Sequence, residues 1–142
     1  MIQVLTGINN TSAALDCERA RLDVIGQNLA NAQITRDLDG KPYQRRVVIF
    51  ENVLNHALNP TGNPDLPAMQ IARVEKDQRP GVPIYSPGNP DADAKGMVVL
   101  PNVNIHEEMA DYISAQRAFE ANLSVVKNAR SMAMQTLAIG KH

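Results

Sequence analysis

The sequence predicts a mainly α fold with a small β segment. It reads as an antiparallel, coiled-coil-like pair of N- and C-terminal helices with a Pro/Gly-rich β-hairpin region inserted between them. Three observations carry this. From Asn102 the chain runs to Ile139 without Pro or Gly, and its apolar residues fall alternately four and three apart. The first thirty carry Ile8, Leu15, Leu22 and Leu29 at seven-residue intervals. The chain's 8 Gly and 9 Pro fall mostly in the middle, so the ends can be long helices and the centre cannot. The corresponding division is residues 1–35 and 103–142 for the two helices of a terminal-helix core domain, and 36–102 for a β-rich extended segment.

The first helix is expected from about Val4 to Asn31. Its stripe is Ile8, Leu15, Leu22 and Leu29, with Ile25 between the last two, while Thr11 and Glu18 interrupt it with polar groups. Such a stripe is a narrow seam rather than a broad core face. Gly7 and Gly26 each cost about 1 kcal/mol relative to Ala, so this helix needs a partner.

Between the helices, Asp39-Gly40 signals a turn and Pro42 ends any helix. Tyr43 to Glu51, rich in β-branched and aromatic residues, reads as a strand. Asn52 to Pro67 contains three prolines and reads as a loop, with a short helical turn near Val53 to Leu58. Met69 to Glu75 is a second strand. Arg79 to Pro90 carries four prolines and permits only extended or turn backbone. Met97 to Leu100 is a short strand closed by Pro101.

The last helix starts at Asn104, an N-cap, with Glu107 completing a capping-box-like pair. Glu107 and Glu108 also suit the positive end of the helix dipole. Gly140, Lys141 and His142 make the stop. Its seam is Ile105, Met109, Tyr112, Gln116, Phe119, Leu123, Val126, Arg130, Ala133 and Leu137, apolar except for Gln116 and Arg130. A helix of this extent is roughly 54 Å long, more than a compact domain of this size needs. The surplus seam must meet the β segment or another molecule.

Composition narrows the function classes. Lys and Arg total 14 against 15 Asp and Glu, so no basic field points to nucleic acid or an anionic membrane. Aromatic residues are 4% and Trp is absent, which leaves little material for a dense core. Cys17 is the single cysteine; no internal disulfide can form, and a buried small residue is favoured over a reactive thiol. There is no transmembrane run and no charged-then-apolar signal peptide, so the physics reads cytoplasmic unless export uses a route without a cleaved signal.

No catalytic constellation emerges. His106-Glu-Glu-Met-Ala110 begins like a zinc-protease helix, but Ala110 stands where the second His belongs, and His56 and His142 form no motif. Asp91-Ala-Asp-Ala-Lys-Gly96 begins like a calcium loop, but Lys95 replaces an oxygen ligand and Asn102 the closing Glu. No glycine loop carries a P-loop Lys. The expectation is no enzyme, no cofactor, no metal and no small-molecule substrate. Four polar residues remain: Asn28 and Asn31 near the end of the first helix, and Gln116 and Arg130 on the last. Either Asn31 caps a helix end while Gln116 and Arg130 face solvent, or these positions fix register between helices as polar seam residues do.

Several of these stretches resemble known sequences. Gln27-Asn-Leu-Ala-Asn-Ala32 is similar to the signature that ends the first helix of bacterial flagellar axial proteins of the rod and hook. The block from Tyr85 to Asn104, Glu108-Met109, Ala115-Gln-Arg-Ala-Phe-Glu-Ala-Asn122 and Ser131-Met-Ala-Met134 resembles, within them, the FlgC family of the proximal rod. The resemblance covers nearly the whole chain. It implies a structural subunit of the flagellar basal body, in the periplasmic rod that acts as drive shaft, exported unfolded by the flagellar type III apparatus without a cleaved signal. That replaces the cytoplasmic expectation. It further implies helical polymerisation, with the terminal helices lining the export channel and transmitting torque. The neighbours it implies are other copies of the chain, FlgB, FlgF, FliE and the MS ring. Narrow seams and a thin core suit a subunit that orders mainly on assembly.

The expected assembly seam is Ile8, Leu15, Leu22, Ile25, Leu29, Met109, Tyr112, Phe119, Leu123, Val126 and Leu137. The expected polar register or motif positions are Asn28, Asn31, Gln116, Arg117, Asn122 and Arg130. The competing readings are another rod or hook axial protein, a cytoplasmic helical adaptor, and a small metal-dependent hydrolase.

Overall fold

The computed structural model describes residues 2–37, 40–53 and 68–139. Helix α1 spans Ile2–Ala30, followed by strands β1 (Arg46–Val53), β2 (Ala68–Lys76), β3 (Val82–Tyr85) and β4 (Met97–Leu100), and then helix α2 (Ile105–Ile139). The two helices have 29 and 35 residues and pack on each other. They run antiparallel: Asn28, at the end of α1, bonds Glu108 at the start of α2, and Arg21, about two turns earlier on α1, faces Asp111, about one turn later on α2. The β part is two separate two-stranded antiparallel sheets, β1–β2 and β3–β4. Among the described elements α1 touches α2, β1 and β2, whereas α2 packs on α1 alone.

Local chemistry explains the boundaries. Asn31 ends α1 by donating from Nδ2 and from its backbone amide to the Gln27 carbonyl (2.7 and 3.1 Å). The following turn closes with Gly40 N–H to the Asp37 carbonyl, and Gly40 adopts φ 72°, the left-handed region that favours glycine. Strand β1 begins at Arg46 rather than Tyr43. The Tyr43 amide is committed to the Ile34 carbonyl and the Arg45 amide to Asn102 Oδ1, so neither enters a ladder. Between Ile49 and Phe50 the β1–β2 register shifts, leaving Ala72 as the extra residue of a bulge. The helical turn expected within 53–58 and the remainder of the 52–67 loop lie, from residue 54 on, outside the described residues.

Strand β3 arises inside the proline-rich stretch. Pro83 lacks an amide donor, yet β3 pairs along one edge only, so the ladder with β4 survives in the register Val82↔Leu100 to Tyr85↔Met97. The loop joining them is tied by its own carboxylate: Asp93 Oδ1 accepts the Lys95 and Met97 amides. Asp91 instead accepts from the Thr35 hydroxyl and faces Arg36. The two acids thus serve separate contacts in a turn. Asn104 caps α2, its Oδ1 accepting the His106 amide at 3.1 Å, and Glu107 stands exposed beside it.

The described core is thin. Its buried apolar side chains are Cys17, Val24, Ile25, Ala32, Tyr43, Val98 and Ala115, joined by the fully buried polar pair Asn28 and Glu108. Cys17 is 2% exposed, and burial, followed by the nearby Asp16 and Glu18 charges, pushes its thiol pKa up.

Candidate assembly surface

Where the end of α1, the start of α2 and the lead-in to β1 come together, the contact is made by polar groups. Asn28 is 1% exposed and uses its whole amide. Its Nδ2 donates to the Arg46 carbonyl (2.9 Å) and to Glu108 Oε2 (3.0 Å). Its Oδ1 accepts from the Tyr43 hydroxyl and from the Arg46 amide, both at 2.9 Å. Glu108 is wholly buried, and its other oxygen accepts from Arg45 Nε at 2.5 Å. The Arg45 guanidinium lies between three carboxylates, reaching Asp77 at 3.8 Å and Asp111 at 3.6 Å as well. Asn102 ties the strand ends to the same junction: it accepts the Arg45 amide and donates to the Asp77 and Arg79 carbonyls.

This arrangement satisfies the rule that a buried charge must be paired and hydrogen-bonded. Hydrogen bonds from the Arg79 side chain and amide hold the Asp77 carboxyl below its usual pKa. Burial raises the Tyr43 phenol, so its hydroxyl remains a donor to Asn28 throughout the neutral range. The junction joins no nucleophile to a base. Its hydrogen bonds tie together segments far apart in sequence: the end of α1, the lead-in to β1 and the start of α2.

The expected polar positions separate here. Asn28 is in the junction, and Asn31 caps α1. Gln116 is exposed and donates to Glu120 on its own helix. Arg117 and Arg130 are exposed, and Asn122 is half-buried. Periodicity did not single out Tyr43, Arg45, Asp77 or Asn102, and Glu108 entered as a dipole partner and as part of the family resemblance, not as a buried contact. The one available signal was an Asn inside a helix, where its side chain ordinarily competes with the backbone and so needs a specific partner.

The apolar positions show how the helices are turned. On α1, Ile25 is buried, whereas Ile8, Leu15, Leu22 and Leu29 are half-buried. On α2 the deepest positions are Glu108 and Ala115, both 0% exposed, with Asp111, Ala118, Asn122 and Ala129 half-buried. Each lies one residue before a member of the expected seam, about 100° around the helix. The expected seam is therefore turned outward at its start. Met109 is 55% and Tyr112 41% exposed, while Phe119, Leu123 and Val126 are half-buried at its edge and Leu137 is exposed. Beside α1, Leu29, Met109, Tyr112 and Ile113 line a hollow of about 250 Å³. At its start α2 thus buries Glu108 and the small Ala115 and presents Met109, Tyr112 and Ile113 outward. Exposed apolar stripes of this kind mark contact surfaces.

Comparison with known proteins bears on what such a surface meets. The family model described as Flagellar basal body rod FlgEFG protein C-terminal matches residues 94–139, which include all of α2. The flagellar basal-body rod protein FlgC of Borreliella burgdorferi is 41% identical, over 96% of this chain and 97% of its own. The protein of that name from Escherichia coli O6:H1 is 37% identical, over 91% of this chain and 92% of its own. The Bacillus subtilis one is 34% identical, over 94% and 96%.

Proposed function

Because the chain belongs to the family of flagellar basal-body rod proteins FlgC, we propose that it is a structural subunit of the rod that polymerises through its terminal helices. The observation that carries this is the outward apolar face of α2. Met109, Tyr112 and Ile113 are each about half exposed. Burying a large apolar side chain fully yields about 1.5–3 kcal/mol, so covering these three adds roughly 3 kcal/mol per contact. A thin internal core and an unpaired helix face together describe a chain that gains much of its order from neighbours.

In this reading the polar junction serves the polymer. It fixes the angle between the helix pair and the β segment, so that each copy offers the same outer surface. The terminal helices line the export channel, and torque passes through buried side-chain contacts between subunits. The β3–β4 hairpin, with Tyr85 72% and Val82 55% exposed, suits contact with outer neighbours. Further copies, FlgB, FlgF, FliE and the MS ring are the partners this reading assigns, with delivery by the flagellar type III apparatus.

The test is Phe119→Ala in the cell. Phe119 is half-buried at the edge of the outward face. The variant is expected to be expressed at the normal level yet absent from purified basal bodies, and the cells non-motile. Normal motility would contradict the proposal.

A further inference from the structure

We propose that a hollow beside the joined ends of β1 and β2 binds a small polyvalent oxyanion, a group carrying at least two carboxylate or phosphate charges. The inference goes beyond the rod-subunit reading and does not rest on it. The hollow measures about 240 Å³, and Lys41, Arg46, Lys76 and Arg79 line it, with Asp37 the one carboxylate among the described lining residues. Arg79 is already taken by Asp77 at 2.7 Å. Lys41, Arg46 and Lys76 form no ion pair among the described residues. Arg46 lies 6.0 Å from the Tyr43 ring centroid and reaches Gln27 Oε1 at 3.4 Å, both neutral partners. The chain as a whole balances 14 Lys and Arg against 15 Asp and Glu, so the surplus of cations belongs to this place.

Two of these cations are held together against their repulsion. Arg46 and Lys76 are partners across the antiparallel β1–β2 pair, so their side chains leave the same face. Arg46 directs both its amide and its carbonyl to Asn28, away from β2. That makes this the non-hydrogen-bonded type of pair, with Cα atoms about 4.5 Å apart. Like charges directly opposite destabilise a strand pair. The strands cannot slide to separate them, because Asn28 fixes Arg46 and the Asp77 amide donates to the Arg45 carbonyl at 2.8 Å. An anion between the two side chains turns their repulsion into attraction, and both cations are in place before it arrives.

Size and chemistry narrow the ligand. The volume falls below the range of ordinary small-molecule pockets, which starts at about 300 Å³. Ammonium and guanidinium groups only donate, and the arginine fork matches the paired oxygens of a carboxylate or phosphate. A compact group with two or more charges answers all three cations; a monovalent anion leaves most of them unmatched.

The experiment titrates the full chain with inorganic pyrophosphate and, separately, with citrate at constant ionic strength, following the backbone amide resonances. Saturable shifts are expected at 41–46 and 76–81, with acetate giving none. Lys76→Gln and Arg46→Gln should each weaken binding about tenfold or more, the loss expected for one hydrogen bond to a charged group. Lys95→Gln, in the β3–β4 loop, should leave it unchanged. Pyrophosphate should raise the urea midpoint of the wild-type chain and not that of Lys76→Gln. Without ligand, Lys76→Gln should itself unfold at higher urea than wild type, because the repulsion is gone. Shifts that do not saturate, or equal affinity in Lys76→Gln and Lys95→Gln, would overturn the proposal. A carbodiimide, which joins an ammonium to a carboxylate it touches, then separates two sources of the group in purified basal bodies. An adduct from Lys41 or Lys76 to an Asp or Glu of another polypeptide assigns it to a neighbour's acidic side chains, and its absence from assembled rods assigns it to a free anion.

Discussion

Replacing Asn28 by Ala removes one side chain and strands four partners. Two of them, the Tyr43 hydroxyl and Glu108 Oε2, are buried where water cannot substitute. The Arg46 amide and carbonyl are only partly buried. A buried group left without its partner costs about 1–3 kcal/mol. Glu108 retains Arg45 and falls toward the low end, so the expected loss is about 3 kcal/mol. That is a large share of the 5–15 kcal/mol typical of whole domains. With a slope of about 1.5 kcal/mol per molar urea, the unfolding midpoint should fall by about 2 M. The assay is urea unfolding of the purified chain, followed at 222 nm by circular dichroism. Asn28→Asp is the control for mechanism. It keeps the acceptor oxygen and places a second carboxylate about 3 Å from Glu108, so at pH 7 it should be at least as harmful as Ala. An Asn28→Ala variant within about 0.5 kcal/mol of wild type, the range of ordinary surface substitutions, would show that the Asn28 hydrogen bonds do not stabilise the fold.

Three further outcomes follow from the same contacts. Gly81→Ala would put a Cβ 2.3 Å from the Leu100 carbonyl oxygen, a backbone atom that cannot move without disturbing β3–β4. It should broaden or shift the amide resonances of 82–85 and 97–100 while helical circular dichroism is retained. Gly26→Ala meets no heavy atom within 4 Å and should stabilise the isolated chain by about 0.5–1 kcal/mol, read as a higher urea midpoint. In acid, Asp77 has a folded pKa below its ordinary 3.8. Its contribution is therefore full above that value and is lost as pH falls below it through the folded pKa. The urea midpoint should drop below pH 4, and Asp77→Asn should flatten part of that drop.

The two terminal helices were legible because their signals are local: seven-residue spacing at one end, and a run without Pro or Gly at the other. The β1 and β2 strands announced themselves through Val47, Val48, Ile49 and Phe50 and through Ile71 and Val74. Strand β3 did not, because Pro83 argues against a ladder unless the strand is known to pair on one edge. The face of α2 turned toward α1 was also illegible, for a physical reason. Periodicity ranks faces by hydrophobicity, but close helix approach here favours small side chains such as Ala115 and Ala118. The junction beneath them joins Asn28 and Arg45 to Glu108, 80 and 63 residues away. No local pattern encodes that meeting; only the antiparallel closure of the chain brings it about.

In the rod-subunit reading α2 divides its faces, one for its own α1 and one for neighbouring subunits. A map of the intact basal body at side-chain resolution tests it most directly. It should show Glu108 and Ala115 against α1 of the same copy, and Met109, Tyr112 and Ile113 in van der Waals contact with other subunits. Met109 and Tyr112 packed on their own α1, or left facing solvent in the assembled rod, would contradict it.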